Sequence, residues 1–113
     1  WLRRVQEHVD EGNTNAQVVL GNEYRSGGMG LQQSFQRAIQ LHERAAAQGH
    51  AEAQTNMGRG YEVGQGVKID FKTAALWYQR AAKQGYPAAQ CSLGVIFANG
   101  NGVAQSYDEA ARW

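Results

Sequence analysis

The chain has 113 residues, of which 42% are hydrophobic and 19% are charged, and its formal net charge is +1. This composition is ordinary for one folded domain. The near-neutral charge gives no reason to expect nucleic-acid binding. No apolar run approaches the roughly 20 residues of a membrane-spanning helix. No charged-then-apolar leader opens the chain, and the single cysteine forms no internal disulfide, so the localisation stays open.

Residues 1–12 are predicted to form the end of a helix. Trp1, Val5 and Val9 are four residues apart, His8 falls on the same stripe, and Gly12 ends the pattern. Gly12 lies four residues before Ala16, just as Gly85 lies four residues before Ala89 in a later copy. The segment is therefore predicted to be the second helix of a divergent preceding repeat, and a terminal capping helix is the alternative.

Residues 13–49 form the first complete copy of a repeat of about 36 residues. Ala16, Leu20 and Tyr24 are four residues apart, which places them on one face of a predicted first helix. A glycine-rich break at 27–30 separates this helix from a second one. The second helix is predicted to begin after Ser34, whose hydroxyl oxygen suits a helix N-cap.

Two further copies follow at residues 50–85 and 86–113, and the third stops partway through its second helix. The correspondence over 36 residues pairs Gly58 with Gly94, Tyr61 with Phe97, Asp70 with Ser106, and Trp77 with Trp113. A period of this size is typical of a solenoid built from helix pairs, here one continuous domain. Because the chain begins and ends mid-helix on tryptophan, we expect it to be an excerpt from a longer array.

Two features recur at fixed phases of the repeat. The predicted second helices begin at residues with capping side chains, and the third copy adds Glu109 to complete a capping box with Ser106. Gly21, Gly58 and Gly94 recur inside the first helices, where glycine costs about 1 kcal/mol relative to alanine. Their recurrence predicts that a neighbouring helix approaches too closely there for a side chain.

These residues resemble the Sel-one-like repeat, a relative of the tetratricopeptide repeat with a longer connection between its two helices. The resemblance covers nearly the whole chain from Ala16 onward. The first helix carries Ala-x-x-x-x-Leu/Met-Gly-x-x-Tyr/Phe, and the connection after it carries Gly-x-Gly-Val. The second helix begins with a cap and an aromatic residue, continues with Ala-Ala and Trp, and ends in Ala-Ala-x-Gln-Gly. The first copy departs through an insertion at 27–31, Leu41 in place of Trp, and His42 in place of Tyr. The resemblance implies an all-α, right-handed α/α superhelical solenoid.

The resemblance also implies a non-enzymatic scaffold or adaptor that binds a partner protein on its concave face. By analogy with tetratricopeptides, this face is lined by first-helix positions that flank the repeated ridge and vary between copies. The alternative at each position is a solvated surface without a ligand. The implied partner-binding residues are Val18, Asn22, Arg25, Thr55, Arg59, Glu62, Cys91, Val95 and Ala98.

No catalytic, cofactor or metal residue is predicted. His8, His42 and His50 lack metal-ligand spacing, and Cys91 takes a position held by Val or Thr in the other copies, which favours a structural thiol. The Gly-x-Gly turns at 64–66 and 100–102 lack the preceding strand and following lysine of a phosphate-binding loop.

Two other functions remain open. The first is a structural subunit of a large assembly, which contacts its neighbours through the repeat ends and through exposed second-helix residues such as Gln40, Gln79 and Arg80. The second, a remote one, is β-lactam binding or hydrolysis, which the resemblance suggests because some bacterial relatives have been described in this way. Those relatives are cysteine-rich, whereas this chain has one cysteine.

Overall fold

The computed structural model describes residues 1–28 and 30–100, and these residues form helices joined by turns, with no strand. The predictions for Ser106, Glu109 and Trp113 lie outside the described residues. The helices are α1 (Leu2–Asp10), α2 (Thr14–Ser26), α3 (Phe35–Ala47), α4 (Ala51–Val63), α5 (Phe71–Lys83) and α6 (Pro87–Asn99).

The second helices of the pairs, α3 and α5, begin at the predicted caps. Ser34 Oγ accepts a 3.2 Å hydrogen bond from the backbone N–H of Arg37. Asp70 Oδ1 accepts one of the same length from the backbone N–H of Thr73. Both predicted caps are confirmed, because each side chain satisfies a backbone donor that the first turn of a helix leaves free.

The first helices begin with caps that the sequence analysis did not anticipate. Asn13 Oδ1 accepts a 3.0 Å hydrogen bond from the backbone N–H of Ala16. His50 Nδ1 accepts a 3.4 Å hydrogen bond from the backbone N–H of Ala53. α6 has no side-chain cap and instead begins with Pro87, whose missing N–H needs no partner in a first turn.

Each of the six described helices is followed by a glycine in the left-handed conformation, which glycine adopts without steric cost. The link from one helix pair to the next is only three residues long, at 11–13, 48–50 and 84–86, so consecutive helices pack antiparallel. The six glycines are Gly12, Gly27, Gly49, Gly64, Gly85 and Gly100.

The helices pack mainly against their neighbours along the chain, as in a solenoid. The core is accordingly a row of clusters, one for each step along the array. The cluster between α1, α2 and α3 includes Val9, Leu20 and Leu41. The next includes Val18 and Met57, and the third is built on α5 and α6.

The mid-helix glycines mark close contacts between the two helices of a pair, as predicted. A Cβ atom at Gly58 would lie 2.7 Å from Cδ1 of Tyr78, and one at Gly21 would lie 2.6 Å from Nε2 of His42. In each case the ring of the second helix lies directly on the backbone of the first helix. The predicted close approach is therefore confirmed at these two positions.

The buried face of α1 is narrower than its sequence pattern predicts. Val9 is fully buried and Val5 is partly buried, whereas Trp1 and His8 are exposed. The reason is that α1 packs chiefly against α2, so only one side of it is covered. Whether residues 1–12 are a divergent repeat or a cap stays a prediction.

Candidate partner-binding surface

One row of predicted partner-binding residues occupies the same turn of α2, α4 and α6. It consists of Asn22, Arg59 and Val95. Arg59 and Val95 are exposed, and Asn22 is half-buried. The three first helices therefore present these positions on a common side of the molecule. We call them the central row.

A second predicted row lies at the edge of this surface and is partly buried. Its members Arg25, Glu62 and Ala98 each follow the central row by three residues. Glu62 is held within the chain, because its Oε1 accepts a 2.8 Å hydrogen bond from the hydroxyl of Tyr78. This row forms a rim of the surface, and its Glu62 side chain also supports the fold.

The third predicted row is not exposed as expected at Val18 and Thr55. These side chains are 3% and 2% exposed. Val18 belongs to the cluster that includes Met57 on α4, and Thr55 Oγ1 donates a 3.0 Å hydrogen bond to the carbonyl of Ala51. Cys91, at the equivalent position on α6, is exposed. The expectation of exposure is wrong at the first two positions: the next repeat covers Val18, and Thr55 is buried with its hydroxyl bonded within α4.

The structure also exposes first-helix residues that the sequence analysis missed. They lie three, four or seven residues from the central row along their helices, so they belong to the same helical face. The helical period applied to the central row would have found them. These additional exposed residues are Asn15, Val19, Ser26, Val63, Ala88 and Asn99. We call them, together with the central row, the first-helix stripe.

The first-helix stripe combines apolar and polar chemistry. Val19, Val63 and Val95 expose 40%, 52% and 51% of their surface. Arg59 supplies a cation between them, and Asn22 is a half-buried amide whose Oδ1 is buried. Such a surface offers apolar contacts with polar groups that fix the register of a bound segment.

Polar contacts join successive repeats and so fix the position of one first helix relative to the next. Asn15 Oδ1 lies 2.9 Å from Nε2 of His50, the residue that caps α4. Gln84 Nε2 donates to both the carbonyl of Gly49 and Oε1 of Gln54, at 3.0 and 2.9 Å. These contacts link residues 30 or more positions apart.

The described residues contain no group of three or more His, Cys, Asp or Glu side chains placed to hold a metal ion. In the same part of the chain, no helix has the length and apolar character needed to cross a membrane.

The repeat seen in the structure matches a known family. The family description "Sel1 repeat" applies to residues 14–50, 51–86 and 87–113, which together make up most of the chain. The chain belongs to the Sel1 repeat family. Sel1 repeat proteins are generally non-catalytic scaffolds for protein interaction. No curated protein sequence matches this Sel1 repeat chain.

Two solved structures are similar to this Sel1 repeat chain along most of its length. One is c5321, a protective antigen of uropathogenic Escherichia coli with an SLR fold, which is 34% identical to this chain and has a TM-score of 0.96. The match covers 100% of this chain and 24% of the c5321 chain. The other is a Sel1 repeat protein from Oxalobacter formigenes, at 35% identity and a TM-score of 0.87, over 91% of this chain and 42% of its own. The chain thus spans less than half the length of either protein.

Proposed function

We propose that this Sel1 repeat chain is a scaffold that binds a segment of a partner protein along the first-helix stripe. The observation that carries the proposal is the contrast between the core and the central row. Many buried positions repeat from copy to copy, as Ala16, Ala53 and Ala89 do. The central row instead changes from an amide at Asn22 to a cation at Arg59 and an aliphatic group at Val95. Solenoid binding surfaces typically combine a core that repeats from copy to copy with exposed side chains that differ between copies.

The chemistry of the stripe favours a segment that is partly apolar and carries a carboxylate. The exposed valines on α2, α4 and α6 lose contact with water when an apolar side chain covers them. Arg59 lies between these apolar positions and can pair with an acidic side chain of the partner. The partner would therefore be a protein segment that spans several repeats.

The test replaces the central row by glutamate in the triple variant Asn22→Glu, Arg59→Glu and Val95→Glu. We expect the variant to keep its helical circular dichroism and to lose capture of the partner in a crosslinking pull-down from the native source. A photo-crosslinking residue at Val95 would identify the captured segment by mass spectrometry. Retained capture with the same crosslinks would contradict the proposed surface.

A matched control places the same charge changes on the second helices. Gln40, Lys72 and Leu76 are exposed on α3 and α5 and are, like the central row, one amide, one cation and one aliphatic side chain. Their replacement by glutamate alters the net charge by the same amount. We expect this control to capture the partner as the wild type does, so that a general effect of negative charge is separated from loss of the binding surface.

One observation favours the second candidate function, a structural subunit that binds through its second helices. Leu76 on α5 is 57% exposed and lies beside an apolar cleft of about 220 Å³ that Ala75, Leu93 and Phe97 also line. If the second-helix control loses capture while the central-row variant keeps it, this face is the interface instead.

A further inference from the structure

His42 on α3 occupies the position that Tyr78 occupies on α5, one repeat later. The hydroxyl of Tyr78 donates a 2.8 Å hydrogen bond to Glu62, and Ser92 on α6 also hydrogen-bonds to it. An imidazole is shorter than a phenol and carries no hydroxyl. The first repeat therefore lacks the hydroxyl group that, in the second repeat, links α5 to its neighbouring helices.

The side chain of His42 lines a small cleft. Its walls include Asn56 on α4, Arg25 at the end of α2 and Gln65 after α4. The internal volume is about 10 Å³, which is close to the space that one water molecule requires. Arg25 and Gln65 are partly exposed, so they form the mouth of the cleft, whereas His42 and Asn56 lie inside it.

Two of the residues that line this cleft each carry a buried atom with no hydrogen-bond partner among the described residues. The atoms are Nε2 of His42 and Nδ2 of Asn56, whose side chains are 3% and 8% exposed. Buried polar atoms in folded proteins are nearly always paired, because leaving one unpaired costs about 1–3 kcal/mol. A small polar group bound in the cleft would give these atoms a hydrogen-bond partner.

The hydrogen-bonding roles of the two atoms follow from their surroundings. The carbonyl of Val18 hydrogen-bonds to the ring of His42, and since Nε2 has no partner, the donor is Nδ1–H. Burial and the nearby charge of Arg25 lower the pKa of His42 to about 4, so the ring is neutral at neutral pH. Nε2 is then an acceptor, whereas the Asn56 amide nitrogen is a donor.

We propose that the cleft is a binding site for one hydroxyl oxygen, which donates its hydrogen to His42 Nε2 and accepts a hydrogen from Asn56 Nδ2. Water and the hydroxyl of a serine or threonine side chain share this chemistry. Water occupies the site in the free chain, and the mouth beside Arg25 admits a partner's side chain. A carboxylate fits less well, because its oxygen would face the lone pair of Nε2. This inference does not depend on the first-helix stripe.

A high-resolution crystal structure of the chain at neutral pH tests the site directly. We expect an ordered water oxygen within hydrogen-bond distance of both His42 Nε2 and Asn56 Nδ2. A soak in methanol, the smallest analogue of a serine side chain, distinguishes the two sources of the hydroxyl. If the methanol oxygen replaces the water at the same point, the site also accepts side-chain hydroxyls. If water remains there in the soaked crystal, the site is specific for water. An empty cleft, or a direct bond between the two side chains, would overturn the proposal.

Two variants test the same inference in solution. His42→Tyr carries its own hydroxyl into the cleft, as Tyr78 does in the next repeat, and we expect its Tm to exceed that of the wild type. His42→Phe fills nearly the same volume but leaves Asn56 unpaired, so its Tm should lie at least about 4 °C below that of His42→Tyr. Equal Tm values for the two variants would show that the site does not require a hydroxyl.

Discussion

The hydroxyl of Tyr78 on α5 donates a 2.8 Å hydrogen bond to Oε1 of Glu62 on α4. The Tyr78 side chain is 1% exposed, and burial together with the hydrogen bond to Glu62 raises the pKa of its phenol well above the ordinary value. Glu62 therefore belongs to the frame of the second repeat as well as to the rim of the first-helix stripe. A partner that approaches this rim meets a carboxylate that is already oriented.

Loss of this hydrogen bond should weaken the second repeat. We expect Tyr78→Phe to lower the free energy of unfolding by about 1–2 kcal/mol, since the phenol donates to an ionised acceptor and the two helices lose a direct link. Urea denaturation measures the change. Tyr61→Phe is the control, because Tyr61 is partly buried and no hydrogen bond from its hydroxyl to a described residue is observed, so loss of that hydroxyl should be almost neutral. Equal losses for the two variants would contradict the assigned role.

Alanine scanning of the α4 glycines should separate two kinds of close contact. At Gly58 a Cβ atom would lie 2.7 Å from the ring of Tyr78, which is buried and rigid. At Gly60 it would lie at the same distance from Cδ1 of Ile39, the movable end of a flexible side chain. Both substitutions gain the same helix propensity of about 1 kcal/mol.

We therefore expect Gly58→Ala to be destabilising by about 1–3 kcal/mol and Gly60→Ala to be neutral or stabilising. Gly58→Val should be at least as harmful as Gly58→Ala, because it adds two further methyl groups against the same ring. Thermal and urea denaturation of the variants measure these differences. An unchanged midpoint for both Gly58 variants would mean that α5 is free to move away from α4.

The architecture could be predicted because its determinants are local and repeat in phase. The caps at Ser34 and Asp70 use side chains next to the helix that they begin, and the glycines at 49 and 85 end helices by their own conformation. Each repeat restates the same signals, so a weak feature in one copy is supported by the others. Gly60 has no repeat counterpart, and its contact with Ile39 joins two different helices, which no local motif indicates.

The candidate surface could be predicted only in part. The central row was predicted because it flanks the repeated ridge on each first helix, and Arg59 and Val95 are exposed there. Val18 was misplaced because the next repeat covers one side of the first helix, and the angle between successive helix pairs is not encoded in any local motif. The Tyr78–Glu62 bond escaped notice for a similar reason, since it joins residues 16 positions apart on different helices.

The cap of α3 should be replaceable by chemistry of the same kind. We expect Ser34→Ala to lower the free energy of unfolding by about 1 kcal/mol, because the backbone N–H of Arg37 then loses its acceptor. Ser34→Asp should keep most of the stability, since a carboxylate occupies the equivalent cap at Asp70 and suits a helix N-terminus. Urea denaturation tests both variants, and equal stability of Ala and Asp would indicate that the cap contributes nothing.

His42 should make the stability of the chain depend on pH. Burial and the charge of Arg25 lower its pKa from 6.5 to about 4 in the folded chain. The unfolded chain therefore binds a proton at a higher pH than the folded chain does. The stabilisation is fully present above pH 6.5 and is lost as the pH falls through the folded pKa near 4.

We expect this loss to reach roughly 3 kcal/mol between pH 7 and 4. Carboxylates titrate in the lower part of the same range, so the measurement is the difference between urea denaturation of the wild type and of His42→Tyr at each pH. That difference should change steadily between pH 6.5 and 4, because the tyrosine carries no charge there. A flat difference for His42→Tyr would mean that His42 is protonated in the folded chain as readily as in the unfolded one.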